Sequence, residues 1–93
     1  MSTAAANNAE KSRYELVSDG RVVSIAEYQL TGNTVVFTHT ETVEELRGQG
    51  RAGQLIEFAL DDVRLVGCHV IPRCPFVRDF INDHPQYLDL LAA

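Results

Sequence analysis

At 93 residues the chain is one domain, able to bury roughly 60–65% of its unfolded surface, with one core and no room for a second module. With 45% hydrophobic and 23% charged residues it is globular rather than disordered, and no run approaches the ~18 apolar residues that span a bilayer. A net charge of −5 argues against a protein built to coat nucleic acid or an anionic membrane, both of which need clustered positive charge.

Residues 1–12 are Ala/Asn/Ser-rich, with neither the apolar run of a secretory signal nor the arginine bias of a transit peptide, and read as a flexible N-terminal tail before a single domain over 13–93. The expectation is a soluble, intracellular, cytoplasmic protein. Arg13–Ser18 is a short strand with Tyr14 and Leu16 on one face. Asp19-Gly20 is a strong two-residue hairpin signal, and Val22–Tyr28 follows as a second strand. Thr31-Gly32-Asn33 makes another turn. Thr34–Val43, rich in β-branched residues, is a third and longer strand, which completes an antiparallel meander.

After a glycine-rich loop the period changes. Ala52, Leu55, Ile56, Ala59, Leu60 and Val63 recur at three and four, which predicts an amphipathic helix with Asp61, Asp62 and Arg64 mostly outward and Gly67 as its C-cap. The apolar stripe is core packing. Cys68–Arg73 is a short strand bounded by Pro72, and Pro75 suits the first turn of a second helix that stops at His84-Pro85. Gln86–Leu91 reads as a closing helical turn. The arrangement is α+β, with the last strand parallel to the third across the helix.

The loop Arg47-Gly48-Gln49-Gly50-Arg51-Ala52-Gly53 carries the chemistry. Its glycines leave backbone N–H groups uncovered at a helix start, where the dipole adds positive potential, and Arg47 and Arg51 add mobile charge. The alternative is a glycine turn that happens to precede a helix. Arg73 and Arg78 extend the basic character beyond the next strand, so an anion site is plausible inside an acidic protein whose remainder favours a cationic second substrate. A solvated mixed surface is the competing account of those arginines. Gly48-x-Gly50-x-x-Gly53 matches the dinucleotide fingerprint literally, but only one convincing strand follows and Arg73, not an acid, ends it. A P-loop is excluded because no Gly-Lys-Ser/Thr follows.

Cys68 and Cys74, if the residues between them are extended at ~3.3 Å per step, stand about 20 Å apart, beyond the ~7 Å reach of a disulfide. Both read as free thiols, which fits a reducing compartment. No close cysteine pair supports a zinc site from Cys68, His69, Cys74 and His84. Cys68 reads as a small hydrophobe.

Arg47-Gly48-Gln49-Gly50-Arg51-Ala52 resembles the acetyl-CoA signature Arg/Gln-x-x-Gly-x-Gly/Ala of the GNAT acetyltransferase superfamily. With Glu45-Leu46 before it, Ala59-Leu60-Asp61-Asp62, Cys74-Pro75-Phe76-Val77 and His84-Pro85-Gln86-Tyr87, the chain resembles, from Tyr14 to Leu91, the small single-domain GNAT-like subfamily with a cysteine and glycine motif. The resemblance implies a compact GNAT-like fold and an N-acetyltransferase that uses acetyl-CoA as cosubstrate and no metal. The coenzyme would lie where the strand ending near Val43 and the strand ending near Arg73 splay apart, with backbone N–H groups from Gly48 to Gly53, Gly50 among them, holding its pyrophosphate and Val43, Arg47, Gln49, Arg51, Ala52, Arg73, Pro75 and Phe76 as further coenzyme-binding candidates. The acceptor would be an amine, of a small molecule or a protein lysine, and the protein a monomer or weak homodimer.

Two positions depart from the family pattern: Glu44 stands where relatives often have proline, and Phe80 where they often have a tyrosine that supplies a hydroxyl acid. His39 and Cys74 match positions singled out in the subfamily and are the candidate catalytic residues, since amide formation from a thioester needs an amine freed of its proton and protonation of the departing thiolate. Histidine titrates in a useful range. Cys74 stands before a helix N-terminus, which supports a thiolate. It could accept the acetyl group, protonate the leaving thiolate, or line the pocket. Direct attack within a ternary complex is preferred because no fixed base partners the thiol. The alternative from another class is a non-catalytic acyl-CoA-binding or regulatory module.

Overall fold

The structure, a computed structural model, describes residues 3–92. Met1 and Ser2 of the expected tail, and Ala93 of the expected domain, lie outside the described residues. A five-stranded sheet in sequential order holds β1 (Thr3–Asn8), β2 (Arg13–Ser18), β3 (Arg21–Thr31), β4 (Thr34–Thr42) and β5 (His69–Pro72). It carries helix α1 (Arg51–Leu65) between β4 and β5 and helix α2 (Pro75–Asp83) after β5. The first four strands pair antiparallel and β5 runs parallel to β4, as the turn chemistry and the intervening helix require. Asp19 and Gly20 both adopt positive φ (51° and 81°), which matches the right-handed twist of the hairpin strands they join.

One stretch differs from its reading in the sequence. Residues 3–12 are ordered rather than a loose tail. Thr3–Asn8 pairs along β2 from Thr3 opposite Ser18 to Asn8 opposite Arg13. Ala9–Lys11 then makes one 3₁₀ turn, with the Asn8 side chain accepting from the Lys11 N–H at 3.2 Å. The composition hides this strand because it buries little: Ala5 alone among its residues packs against the core. What holds it is the backbone ladder to β2, together with Tyr28 Oη donating to Asn7 Oδ1 at 2.7 Å and Asn8 Nδ2 donating to Glu15 Oε2 at 3.2 Å. Such partners are distant in sequence and carry no local pattern.

The core is one cluster on the side of the sheet that carries the helices. Tyr14, Leu16, Ala26 and Phe37 from the strands meet Leu55, Ile56, Ala59, Leu60 and Val63 of α1 and Val77 and Ile81 of α2. Each fully buried large side chain there contributes roughly 1.5–3 kcal/mol over its exposed state. The polar residues of α1 that read as outward are structural ties. Tyr14 Oη donates to Asp62 at 2.7 Å and Tyr87 Oη to Asp61 at 2.8 Å, while Arg64 bonds both carboxylate oxygens of Asp89 and the Gln86 carbonyl. Burial first, and then the carboxylate it bonds, raises the Tyr14 phenol well above its ordinary value. The same causes push Tyr87 up to about 12. Pro85–Leu90 forms the closing 3₁₀ segment, after which Leu91 bridges to Val70 and covers the outer edge of β5. No helix among the described residues is long and apolar enough to cross a membrane.

Candidate active site

The site begins where two parallel strands stop pairing. The β4–β5 ladder runs from Thr34 opposite His69 to Phe37 opposite Pro72, and a last bond from the Cys74 N–H to the Phe37 carbonyl (3.0 Å) closes it. β4 continues to Thr42 while the other chain turns into α2, so a wedge opens between them. Within β4, Tyr28 pairs with Phe37 and Glu27 with His39, which leaves Thr38 as the extra residue of a bulge. Because side chains alternate along a strand, one extra residue inverts the pattern beyond it. Thr40 and Thr42 therefore fall on the helix side with Phe37, and His39 and Glu41 on the opposite side.

The wedge holds a cleft of about 460 Å³. β4 borders it from His39 to Thr42, and Phe76 of α2 stands at its edge. The remaining wall is Leu46 and Arg47, then Gly48 and Gly50, then Arg51, Ala52 and Gly53 of the first turn of α1. Gly48 and Gly50 have φ of 78°, a conformation L-residues rarely adopt, and a Cβ built on either meets nothing within 4 Å. The loop is thus an open concavity lined by main chain.

The start of α1 is unusual for a helix in three ways. Its N-cap is Gly50, with no side-chain cap; its first turn holds no acidic residue; and Arg51 occupies the first position. The first intrahelical bond runs from Gln54 N–H to Gly50 C=O (3.0 Å), so the preceding amides lack partners within the helix. The Nε of Arg51 is buried with no hydrogen-bond partner. A cation at the positive end of a dipole and an orphaned guanidinium nitrogen are both unfavourable, and an anion in the concavity offsets the first.

Of the other residues singled out in the sequence, Gln49 is exposed beside the cleft wall, its Nε2 3.5 Å from the Glu45 carbonyl. Val43 packs against the core and borders a smaller cavity of about 230 Å³ on the other side of Arg47. Arg73 and Pro75 are exposed and do not border the cleft. Arg78 is exposed and lies 3.8 Å from Asp79. Cys74 is buried behind the cleft wall, its Sγ 3.3 Å from Thr40 Oγ1. His39 is exposed, its Nε2 3.6 Å from Glu41 Oε2.

Thr40, Glu41, Thr42 and Leu46 border the cleft and were not among the sequence candidates. Their signal was adjacency to His39 and Arg47, but the face each one takes depends on the bulge. The two departures from the family pattern have local explanations. Glu44 opens a 3₁₀ turn, Glu44–Leu46, where a carboxylate suits the positive end as well as proline suits the geometry. Phe80 stacks on the His84 ring at 3.9 Å and lies 3.7 Å from where a Gly53 Cβ would stand, so it is a packing residue. Among the described residues no group of three or more His, Cys, Asp or Glu is arranged to hold a metal ion.

A GCN5-like protein from Staphylococcus aureus, solved in solution, superposes with a TM-score of 0.73 at 17% identity over 97% of this chain and 88% of its own. The ribosomal-protein-S18-alanine N-acetyltransferase of Escherichia coli gives 0.65 at 13% identity, over 76% of this chain and 49% of its own. The ribosomal-protein-alanine N-acetyltransferase of Brucella melitensis biovar Abortus 2308 gives 0.54 at 18% identity, over 90% and 66%. At these identities the likeness is one of fold, and the chain spans about half the length of the E. coli enzyme. No curated protein gives a significant match. The model of the GCN5-related N-acetyl-transferase family matches residues 13–90, so the chain belongs to that family.

Proposed function

We propose that this protein is an acetyl-CoA-dependent N-acetyltransferase in which the amine attacks directly within a ternary complex. The observation that carries the reading is the start of α1: an uncapped helix N-terminus, free of acids and bearing Arg51 in its first position, opening on a glycine-walled cleft. These residues fit a coenzyme pyrophosphate. The main-chain amides from Gly48 to Gly53 bind it, Arg51 and Arg47 neutralise it, and Phe76 offers an apolar wall to the less polar arm. Gln49, Val43, Arg73 and Pro75, outside the cleft wall, contribute at most to its rim.

Bound acetyl-CoA supplies an activated acyl carbon and a thiol leaving group. The work left to the chain is proton handling and exclusion of water. His39, with the Glu41 carboxylate beside it, takes the proton that the amine sheds. Cys74 supplies the proton that the leaving sulfur needs. The acceptor is an amine of a small molecule or a protein lysine, and the protein acts in the cytoplasm as a monomer or weak homodimer.

Titration calorimetry with acetyl-CoA and CoA, followed by a thiol-release assay over a panel of amines, tests this. Binding with release for at least one amine is expected. Binding without release for any amine identifies the second reading, a non-catalytic acyl-CoA-binding or regulatory module. That reading draws on the cleft, which is open and has His39 exposed at its border.

A further inference from the structure

We propose that Thr40 is the group that meets the departing sulfur in the cleft, with the Cys74 thiol behind it as the source of the proton. The inference rests on the acyl-transfer reading above and adds the residue through which Cys74 acts. Cys74 is 6% exposed and does not border the cleft, whereas Thr40 does. The two side chains are hydrogen-bonded, Thr40 Oγ1 to Cys74 Sγ at 3.3 Å, with either able to donate. Cys74 is held in place by its N–H on the Phe37 carbonyl (3.0 Å) and by its own carbonyl, which accepts from the Arg78 N–H (3.1 Å). The bulge at Thr38 is what turns Thr40 toward this thiol; in an unbroken strand the same residue would face the other way.

A hydroxyl donates one hydrogen bond and accepts two, so threonine can receive a proton on one side while passing one on from the other. As the amine nitrogen bonds to the acyl carbon, His39 takes the nitrogen's surplus proton. Thr40 gives its hydroxyl proton to the sulfur as the carbon–sulfur bond breaks and the sulfur keeps the electron pair. In the same event Cys74 gives its S–H proton to Thr40 Oγ1. One alkyl thiol is consumed and another formed, so threonine ends each turnover neutral and unchanged. The cycle closes when the proton on His39 returns through solvent to the Cys74 sulfur. Thr40 thus fills the place of a hydroxyl acid that Phe80, stacked on His84, cannot take. Cys74 is a positioning and proton-supplying residue, not an acetyl carrier.

The test compares wild type with Thr40→Val, Thr40→Ser and Cys74→Ala. In the free protein, the infrared S–H stretch assigned by its loss in Cys74→Ala should be that of a hydrogen-bonded thiol in wild type and Thr40→Ser, and move to the free-thiol position in Thr40→Val. In the thiol-release assay Thr40→Val should lower kcat about 100-fold with unchanged coenzyme affinity by calorimetry, and Thr40→Ser should recover most of it. An S–H stretch unchanged by Thr40→Val, a normal kcat in that variant, or an acetyl adduct on wild-type Cys74 by mass spectrometry would each overturn the proposal while leaving acyl transfer intact. Should Thr40→Val fail to fold, Thr40→Ser decides: low kcat despite a hydrogen-bonded thiol sinks the relay. Coenzyme binding with no thiol release from wild type sinks the acyl-transfer reading itself, and the relay with it.

Discussion

The two ends of α1 are built on opposite principles. At its C-terminus the chain closes on itself: Gly67 at φ 77° lets its N–H reach the Arg64 carbonyl (3.1 Å) and the Cys68 N–H reach the Val63 carbonyl (3.0 Å), a Schellman closure. Arg64, a cation at the negative end of the dipole, is further tied to Asp89. At the N-terminus two glycines at φ 78° lead into a turn with no cap, no acid and a cation of the wrong sign for stability. One end is finished by the chain itself and the other, in the proposed function, is finished by the coenzyme. That contrast, more than the glycine count, is what supports the proposed binding end.

The comparison can be broken at either end. Gly50→Glu should abolish coenzyme binding in calorimetry, through a charge and a side chain thrust into the concavity; retained affinity would remove the loop from the site. The left-handed backbone adds a stability cost of roughly 1–2 kcal/mol, so binding is measured where the variant is folded. Tyr14→Phe, which deletes the tie from β2 to Asp62, should cost about 1–3 kcal/mol in urea unfolding and leave coenzyme affinity alone. Gly67→Ala should cost roughly 1–2 kcal/mol, again without touching affinity; an affinity change there would mean the two ends are coupled. Arg51→Gln sharpens the contrast by sign. It should leave the free protein equally stable or more stable by about 0.3–1 kcal/mol, yet weaken coenzyme binding, whereas a destabilised free protein would make Arg51 an ordinary structural residue.

The tyrosine ties also predict an alkaline limb. Both phenols have folded-state values raised above the ordinary 10, Tyr87 to about 12 and Tyr14 further. Their contribution is whole below the ordinary value and is lost as pH rises toward the folded one. Unfolding midpoints should fall between pH 10 and 12 in wild type and fall less in a Tyr14→Phe, Tyr87→Phe double variant; identical slopes would dismiss the ties as the cause. Arg64 holds the Asp89 carboxyl below its usual range. That smaller contribution is present above the unfolded carboxylate value and lost as pH falls, so Asp89→Asn should shallow the acid limb slightly.

Much of the fold was legible because its signals are local. Asp19-Gly20 dictates a hairpin through backbone conformation alone, the three-and-four recurrence from Ala52 to Val63 names its own buried face, and Pro75 and His84-Pro85 bracket α2 within a few residues. The glycine loop was legible for the same reason, since a helix start and its bare amides are adjacent in the chain. Thr3–Asn8 was not, because its strand character comes from the free edge of β2 and not from its own alanines and asparagines. Nor were the roles of Asp61 and Asp62, whose partners Tyr87 and Tyr14 lie far along the chain.

The amino-acid sequence by itself thus determined the order of elements from β2 onward, the family and the segment with the chemistry of an anion cradle, because each is written in neighbouring residues. The tertiary structure alone decided which side of β4 each residue serves. A one-residue bulge at Thr38, set by pairing with β3, turns Thr40 toward Cys74 and His39 away from it, and no local pattern in β4 records on which side of that bulge a residue will fall.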